Sequence, residues 1–275
     1  MHVSRWPRFQ FRLRTLLLFV LIVSIPLSWL GSRLRSARAQ KEAVARLQPG
    51  DVWYDFHFDE ADHSLNTFQY EYHDCGWQEL NISRICKKMP GPQWLHDLLG
   101  DDFFISVVAV RTQHRRRLAD FKYFPHLREL ELWGSDITDA DLAQLGQERE
   151  LEGIDFNATS ISDAGFEHIR GLTRLRKLCL SNTRITDAGL SYIAELRRLE
   201  LLNLDGTQIT DAGLDHLVRL STLQWLSLRL THVSDAGLRK LEKLRKLKEL
   251  NVYGTAVTED GVERLRKELP GCHIH

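Results

Sequence analysis

The sequence has no excess of charge of either sign and few cysteines. Its 37 basic residues balance 37 acidic residues, so the formal net charge is zero. Proteins that bind the phosphate backbone of nucleic acids normally carry a net positive charge, so the composition gives no indication of a nucleic-acid partner. Its 43% hydrophobic and 27% charged residues are typical of a folded protein, and 275 residues indicate one or two domains.

The cysteines are too few and too scattered for a disulfide scaffold or a zinc site. There are four, none in a CxxC pair, at positions 75, 86, 179 and 272. A single bridge between Cys75 and Cys86 stays open if that region lies outside the cytoplasm.

Catalytic and phosphate-binding motifs are also missing. The sequence contains no GxSxG, HExxH, GxxxxGK[ST] or GxGxxG. The cluster His57, Asp59, Glu60 and His63 imitates a metal site, but such residues around a hairpin turn are more often solvated. The sequence therefore predicts no enzyme, no cofactor and no metal site.

A hydrophobic segment stands out near the N-terminus. Residues 16–30 (LLLFVLIVSIPLSWL) are uncharged and follow an arginine-rich stretch. A straight membrane-spanning helix needs about 20 apolar residues, and uncharged neighbours together with snorkelling arginines extend this one. Trp29 lies where an interfacial aromatic is expected. We therefore predict a basic segment over 1–15 and a transmembrane helix over 16–32.

This segment has two interpretations, a retained signal anchor and a cleaved signal peptide. Ala37-Arg38-Ala39 resembles a cleavage site, but Arg33 and Arg35 stand where a cleavable signal is usually uncharged. The anchor is therefore favoured. Basic residues flank the hydrophobic segment at both ends, so they do not decide its orientation in the membrane. The short basic stretch that precedes the segment favours a cytoplasmic N-terminus. The expectation is a single-pass cell-membrane protein with an extracytoplasmic repeat domain.

Residues 33–102 follow no repeat. We expect a short basic helix directly after the membrane segment. A hairpin over 51–72 and a short helix over 94–99 are predicted to follow it. Residues 103–110 (FFISVVAV) predict the first strand of a repeat domain over 103–271. An open solenoid end exposes its core, so we interpret residues 33–102 as an N-terminal cap.

Self-similarity with an interval of 24 residues dominates the rest of the chain. Leucine recurs without slippage at 127, 151, 175, 199, 223 and 247, which gives six regular repeats. Each repeat opens with LxxLxL, whose alternation is typical of a strand. It continues with a sequence like ITDAGLxxL, whose spacing is helical, and Thr138 or Asp139 would cap the first such helix. A glycine recurs two residues after this aspartate, which indicates close approach to the neighbouring coil.

One repeat cannot bury its own leucines, whereas stacked repeats share a continuous core. A hydroxyl residue recurs three positions after the last strand hydrophobe, and we expect it to hydrogen-bond to the backbone of the next coil. The members of this row are Ser135, Thr159, Thr183, Thr207, Thr231 and Thr255. The predicted fold is an α/β solenoid, curved, with parallel strands on the concave face and helices on the convex face.

The motif LxxLxLxxTxITDAGLxxL, from Leu127 to about Pro270, resembles the cysteine-containing branch of the leucine-rich-repeat superfamily. With FRLRTLLLFVLIVSIPLSWLG at its start, the chain is similar to small single-pass bacterial repeat proteins. The resemblance implies the solenoid architecture and a binding role, and it names no ligand.

Strand alternation places the residues between the core leucines on the concave face. Aromatic, arginine, amide and acidic side chains there are those that interface hot spots use. The predicted partner-binding residues are Trp133, Asp155, Asn157, Lys177, Asn203, Asp205, Trp225, Arg229, Asn251 and Tyr253.

These features lead to three hypotheses of function. The first is a membrane-tethered interaction module that binds a protein, peptide or glycan on its concave face without catalysis. The second is a substrate-recognition adaptor like the F-box-type repeat proteins, although no F-box-like region precedes the repeats. The third is a structural envelope protein that self-associates through the solenoid.

Overall fold

The computed structural model describes residues 13–46, 52–54, 107–111 and 121–275, with side chains in the first helix described from residue 28 onward. That helix, α1, spans Leu13–Val44 and contains the whole segment predicted over 16–32. It continues without a break through the basic helix expected to follow. Among the helices in these described parts, none combines the length and the apolar stretch that crossing a membrane requires.

The strands of the described residues form a single sheet in chain order. Strand β1 (Val52–Tyr54) is antiparallel to β2 (Val107–Arg111), and every later strand is parallel to its predecessor. The later strands are β3 (Glu129–Glu131), β4 (Gly153–Asp155), β5 (Lys177–Cys179), β6 (Leu201–Asn203), β7 (Trp225–Ser227), β8 (Glu249–Asn251) and β9 (His273–Ile274). The strand predicted over 103–110 overlaps β2 at residues 107–110, and residues 103–106 lie outside those described.

The remaining predictions for the cap concern residues outside those described. They include most of the hairpin over 51–72, the helix over 94–99, the cluster around His57 and the pair Cys75 and Cys86. Within the predicted hairpin the structure places β1, whose partner is β2 rather than a neighbouring strand of the same hairpin.

The strand register repeats the 24-residue period. Leu130 pairs with Ile154, and Ile154 with Leu178, so each strand hydrophobe lies over its equivalent one repeat earlier. We call the six units that start at residues 127, 151, 175, 199, 223 and 247 coils 1 to 6.

A short helix follows the strand in each coil. The helices are α2 (Asp139–Leu145), α3 (Asp163–Ile169), α4 (Asp187–Ile193), α5 (Leu214–Leu217), α6 (Asp235–Lys240) and α7 (Glu259–Glu268), with a 3-10 turn at Leu241–Lys243 after α6. Most of them are far below the length at which an isolated helix is stable in water. Packing against the neighbouring coil therefore holds them, as the contacts between successive helices show.

The core is one continuous cluster of buried side chains along the solenoid. It joins Val110, the leucines and isoleucines of all six coils, and Ile274 of the last strand. Ala43, fully buried near the end of α1, belongs to the same cluster, and Val44 packs against it. The last turn of α1 thus contributes to the hydrophobic core.

The hydroxyl row does not connect the coils, so that expectation is wrong. Thr159 Oγ1 donates to the carbonyl oxygen of Phe156 at 2.7 Å, and Thr183 Oγ1 to that of Leu180 at 2.6 Å. The threonine hydroxyls of the row thus bond within their own coils, because the chain turns sharply after the strand and brings the carbonyl three residues earlier within reach; the first member, Ser135, makes no such bond.

A row of aspartates makes the connection instead. Asp163 Oδ1 accepts the backbone N–H of Thr186 in the next coil at 2.8 Å, and Asp163 Oδ2 accepts its hydroxyl at 2.6 Å. The same pair of bonds repeats at Asp139 with Ser162, Asp187 with Thr210, Asp211 with Ser234, and Asp235 with Thr258. We call this row the aspartate ladder.

The recurring glycines make room for this ladder, which confirms the predicted close approach. A Cβ added to Gly165 would lie 2.6 Å from Asp139 Oδ1, and one added to Gly189 would overlap Asp163 Oδ1. The carboxylate of each coil therefore lies over the glycine of the next, where any larger residue would displace it.

Candidate partner-binding surface

The face of the sheet that the sequence predicts to be concave carries three parallel rows of side chains. The inner row consists of Glu129, Gly153, Lys177, Leu201, Trp225 and Glu249. The middle row consists of Glu131, Asp155, Cys179, Asn203, Ser227 and Asn251. The outer row, just beyond the strand ends, consists of Trp133, Asn157, Ser181, Asp205, Arg229 and Tyr253.

Much of the middle row is inaccessible. Asp155, Cys179, Asn203 and Ser227 expose 3%, 0%, 1% and 1% of their surface. Parallel strands lie only about 4.8 Å apart, so side chains of neighbouring coils in one row cover each other. This row forms the floor of the face rather than a contact surface.

The floor holds the outer row in place. Asp155 Oδ1 accepts the backbone N–H of Asn157 at 2.7 Å, and Asn203 Oδ1 accepts that of Asp205 at 2.9 Å. Asn251 Oδ1 accepts the N–H of Tyr253 at 3.0 Å. These carbonyl and carboxylate oxygens satisfy N–H groups that no strand partner reaches.

Asp205 plays a similar part between coils. Its Oδ1 accepts the backbone N–H of Arg229 at 2.9 Å and the hydroxyl of Ser227. It exposes only 9% of its surface. Asp155, Asn203 and Asp205, which the sequence predicts to contact a partner, are therefore buried, and their oxygens are engaged in holding the fold.

Lys177 is also directed into the structure. Its Nζ donates to Glu129 Oε1 at 3.3 Å, across the coil that separates them. Gly153 allows this, because a Cβ there would overlap the carboxylate of Glu129. Burial raises the pKa of Glu129, which Lys177 partly offsets. Lys177 exposes 5% of its surface, so it too is a buried ion-pair residue and not a contact residue.

Six of the ten predicted residues remain accessible, in two separate places. Trp133, 41% exposed, lies in coil 1, beside half-buried Asn157 in coil 2. Coils 5 and 6 hold half-buried Trp225, Arg229 and Asn251 together with Tyr253, which is 67% exposed. The guanidinium of Arg229 lies over the Tyr253 ring, 5.7 Å from its centroid, within the range of a cation–π contact.

Sequence reasoning missed one member of this second group, Leu230, which is 59% exposed. It follows the outer row, at a position whose backbone is left-handed in every coil. Its φ is +54°, and the other residues at this position are Gly134, Ala158, Asn182, Gly206 and Gly254. A large apolar residue at this position is unfavourable for two reasons: the left-handed backbone strains a residue with a Cβ, and its apolar surface is exposed to water. Comparing the coils column by column would have revealed it.

We call Trp225, Arg229, Leu230, Asn251 and Tyr253 the coil 5–6 patch. Leu230 packs against Gly254 of the next coil, where an added Cβ would lie 2.6 Å from Leu230 Cδ2. In the residues that the structure describes, no group of three or more His, Cys, Asp or Glu side chains is arranged to hold a metal ion. The surface offers contacts with an apolar and aromatic centre and polar neighbours.

Comparison with known proteins agrees with this geometry. A family model described as "Leucine Rich repeat" matches residues 172–194, about one repeat. The residues that the model matches are therefore similar to a leucine-rich repeat. No curated protein sequence matches the chain.

Two solved leucine-rich-repeat structures are similar to the chain. One, from Leptospira interrogans, is 23% identical with a TM-score of 0.48; the match covers 57% of this chain and 39% of that one. The other, internalin C2 from Listeria monocytogenes, is 21% identical with a TM-score of 0.48; the match covers 63% of this chain and 81% of that one. The chain therefore spans well under half of the Leptospira structure.

Proposed function

We propose that this leucine-rich-repeat protein is an interaction module that binds a protein partner through the coil 5–6 patch. The leucine-rich repeats themselves suggest a protein-interaction module. The observation that carries the choice of surface is Leu230, a large side chain retained at a left-handed, exposed position beside the Arg229–Tyr253 pair.

The composition of the patch supports a protein partner. Tryptophan, tyrosine and arginine are the residues that dominate the binding energy of protein interfaces. Arg229 and Tyr253 lie beside the exposed Leu230, and Trp225 lies in the inner row of the same coil. In residues 121–275, the large hydrophobic side chains that are clearly exposed are Trp133, Leu230 and Tyr253, and the last two are neighbours. Covering Leu230 completely would contribute about 1–2 kcal/mol, since somewhat more than half of it now faces solvent.

The experiment is site-specific photo-crosslinking in cells that produce the full-length protein. The photoreactive residue p-benzoylphenylalanine replaces Tyr253 in one variant and Ala158 in the control. Ala158 occupies the same left-handed position as Leu230, three coils away. We expect one discrete crosslinked product from position 253 and none from position 158. Identical products from both positions, or none from 253, would refute the proposed surface.

The same experiment separates the other hypotheses. A crosslink from position 253 to a second copy of this chain would favour the self-associating structural protein. A crosslink to a component of a protein-modification complex would favour the recognition adaptor. A glycan partner predicts that binding survives protease treatment of the captured material.

Tethering to a membrane through residues 16–32 stays a prediction from the sequence, as does an extracytoplasmic repeat domain. A C-terminal tag tested with protease on intact cells, stripped of any outer layers, decides the side. Digestion would agree with the predicted orientation, and protection would reverse it.

A further inference from the structure

A second surface, away from the strand face, lies along the loops that lead from each helix into the next strand. We call it the helix-to-strand edge. In each coil three residues flank the first leucine there, two before it and one after it. In coil 3 they are Thr173, Arg174 and Arg176, and in coil 6 they are Arg245, Lys246 and Lys248.

The N-terminal coils neutralise their own charge on this edge. Arg176 Nε pairs with Glu200 Oε1 at 2.8 Å, and Arg174 pairs with Glu150 one coil earlier. Arg128 Nε lies 3.8 Å from Glu152 Oε1. Cations and carboxylates thus alternate from coil to coil.

The alternation stops after coil 4. Coil 5 contributes Ser221, Thr222 and Gln224, which are uncharged, and coil 6 contributes only cations. At these flanking positions coils 4 to 6 carry five cations, namely Arg197, Arg198, Arg245, Lys246 and Lys248, against one carboxylate, Glu200. That carboxylate already pairs with Arg176.

Four of these five cations are exposed and have no partner within the described chain. The side chains of Arg197, Arg198, Lys246 and Lys248 make no hydrogen bond or ion pair there. The fifth is fixed, since Arg245 Nη1 donates to the carbonyl oxygen of Glu268 at 2.7 Å. It borders a groove of about 540 Å³ lined by the apolar Leu247, Leu269 and Pro270, by Lys246 and Lys248, and by Glu268, whose carboxylate Oε2 lies 4.0 Å from Arg245 Nη2.

We propose that this cationic edge of coils 4 to 6 binds an acidic peptide segment of a partner protein. Two groups of cations, in coils 4 and 6, are separated by the uncharged coil 5, so they lie about 10 Å apart at the strand spacing. A peptide in the polyproline II conformation repeats every three residues and rises about 3.1 Å per residue, so carboxylates three residues apart lie on one side at about 9 Å. The apolar side chains that line the groove suit the prolines of such a segment.

An acidic peptide fits better than an anionic lipid headgroup. The cations lie in a line and border an apolar groove, whereas a single phosphate is best held by cations that converge on one point. The proposal is independent of the coil 5–6 patch, because none of its residues belongs to that patch.

The test uses the full-length protein in mild detergent and a fluorescent peptide, acetyl-(Glu-Pro-Pro)3-amide. The control peptide has glutamine in place of each glutamate. Lys248→Glu is compared with Arg128→Glu, which changes the net charge equally at the same repeat position in coil 1. We expect the acidic peptide to bind and the glutamine peptide not to bind. Lys248→Glu should lower the affinity for the acidic peptide at least tenfold, and Arg128→Glu should lower it less than twofold. Raising the salt concentration should weaken binding, since the cations are exposed.

Three results would overturn the proposal. The acidic peptide fails to bind; Arg128→Glu weakens it as much as Lys248→Glu; or glycerophosphoserine, the water-soluble headgroup of an anionic lipid, binds at this edge while the peptide does not. Leu230→Asn should leave peptide binding unchanged, so a failure here is distinguishable from a failure of the coil 5–6 patch.

Discussion

Replacing Gly189 with alanine should destabilise the solenoid through a residue of the neighbouring coil. The added methyl group would occupy the place of Asp163 Oδ1 and lie 3.1 Å from Ile185 Cγ2. Asp163 would then lose its bonds to the N–H and hydroxyl of Thr186, 2.8 and 2.6 Å long. Hydrogen bonds to a charged group contribute about 1.5–3 kcal/mol each when buried, and these are half-exposed, so we expect a loss of about 2–3 kcal/mol in all.

A double-mutant cycle isolates this effect. Asp163→Ala alone removes the same two bonds and should also cost about 2–3 kcal/mol. In the double variant the methyl group no longer meets the carboxylate, and alanine is better than glycine in a helix by about 0.5–1 kcal/mol. The double variant should therefore be about as stable as Asp163→Ala, with a coupling energy of about 2 kcal/mol or more.

The assay is urea unfolding followed by far-ultraviolet circular dichroism. Gly171→Ala serves as the control, because a Cβ there would meet nothing nearer than Arg149 Nη1 at 3.7 Å. It should change the free energy of unfolding by less than about 1 kcal/mol. Additive losses from Gly189→Ala and Asp163→Ala would show that the glycines do not serve the aspartate ladder.

Three further predictions concern single sites. Ala158→Gly should stabilise the fold by about 0.5 kcal/mol in urea unfolding, because the left-handed φ of +54° costs alanine more than the added chain entropy of glycine; a loss would contradict this. Burial raises the pKa of Glu129, so the protonated form favours folding, and that contribution is lost as pH rises through the raised value. The urea midpoint of the wild type should thus fall relative to that of Glu129→Gln as pH rises above the ordinary glutamate value of about 4, and parallel profiles would argue against it. Burial also raises the pKa of Cys272 to about 11, so iodoacetamide at mildly alkaline pH should label it only after unfolding; rapid labelling of the folded protein would refute this.

The architecture could be predicted from the sequence because its period recurs six times. The LxxLxL alternation defines a strand and the spacing of ITDAGLxxL defines a helix, and both agree with the observed register. Packing against α1 could not be predicted, since Ala43 belongs to no repeat and its burial depends on what lies above the first strand.

The candidate surface could be predicted only in part. Alternation shows which side of the sheet Asp155 and Lys177 face, but it does not show how tightly neighbouring coils close over them. The hydroxyl of Thr159 and the carboxylate of Asp163 are equally plausible connectors in sequence, and only the path of the chain after the strand decides between them. Leu230 could not be predicted as exposed because the spacing of hydrophobic residues does not show where the backbone is left-handed.

Binding of the crosslinked partner to Leu230→Asn tests the central claim most directly. Asparagine already occupies the equivalent left-handed position in coil 3, as Asn182, so the fold should lose no stability. Removing the exposed leucine should weaken partner binding about tenfold, whereas Ala158→Asn should leave it unchanged. Unchanged affinity of a stably folded Leu230→Asn variant would contradict the proposal that the coil 5–6 patch is the partner-binding surface.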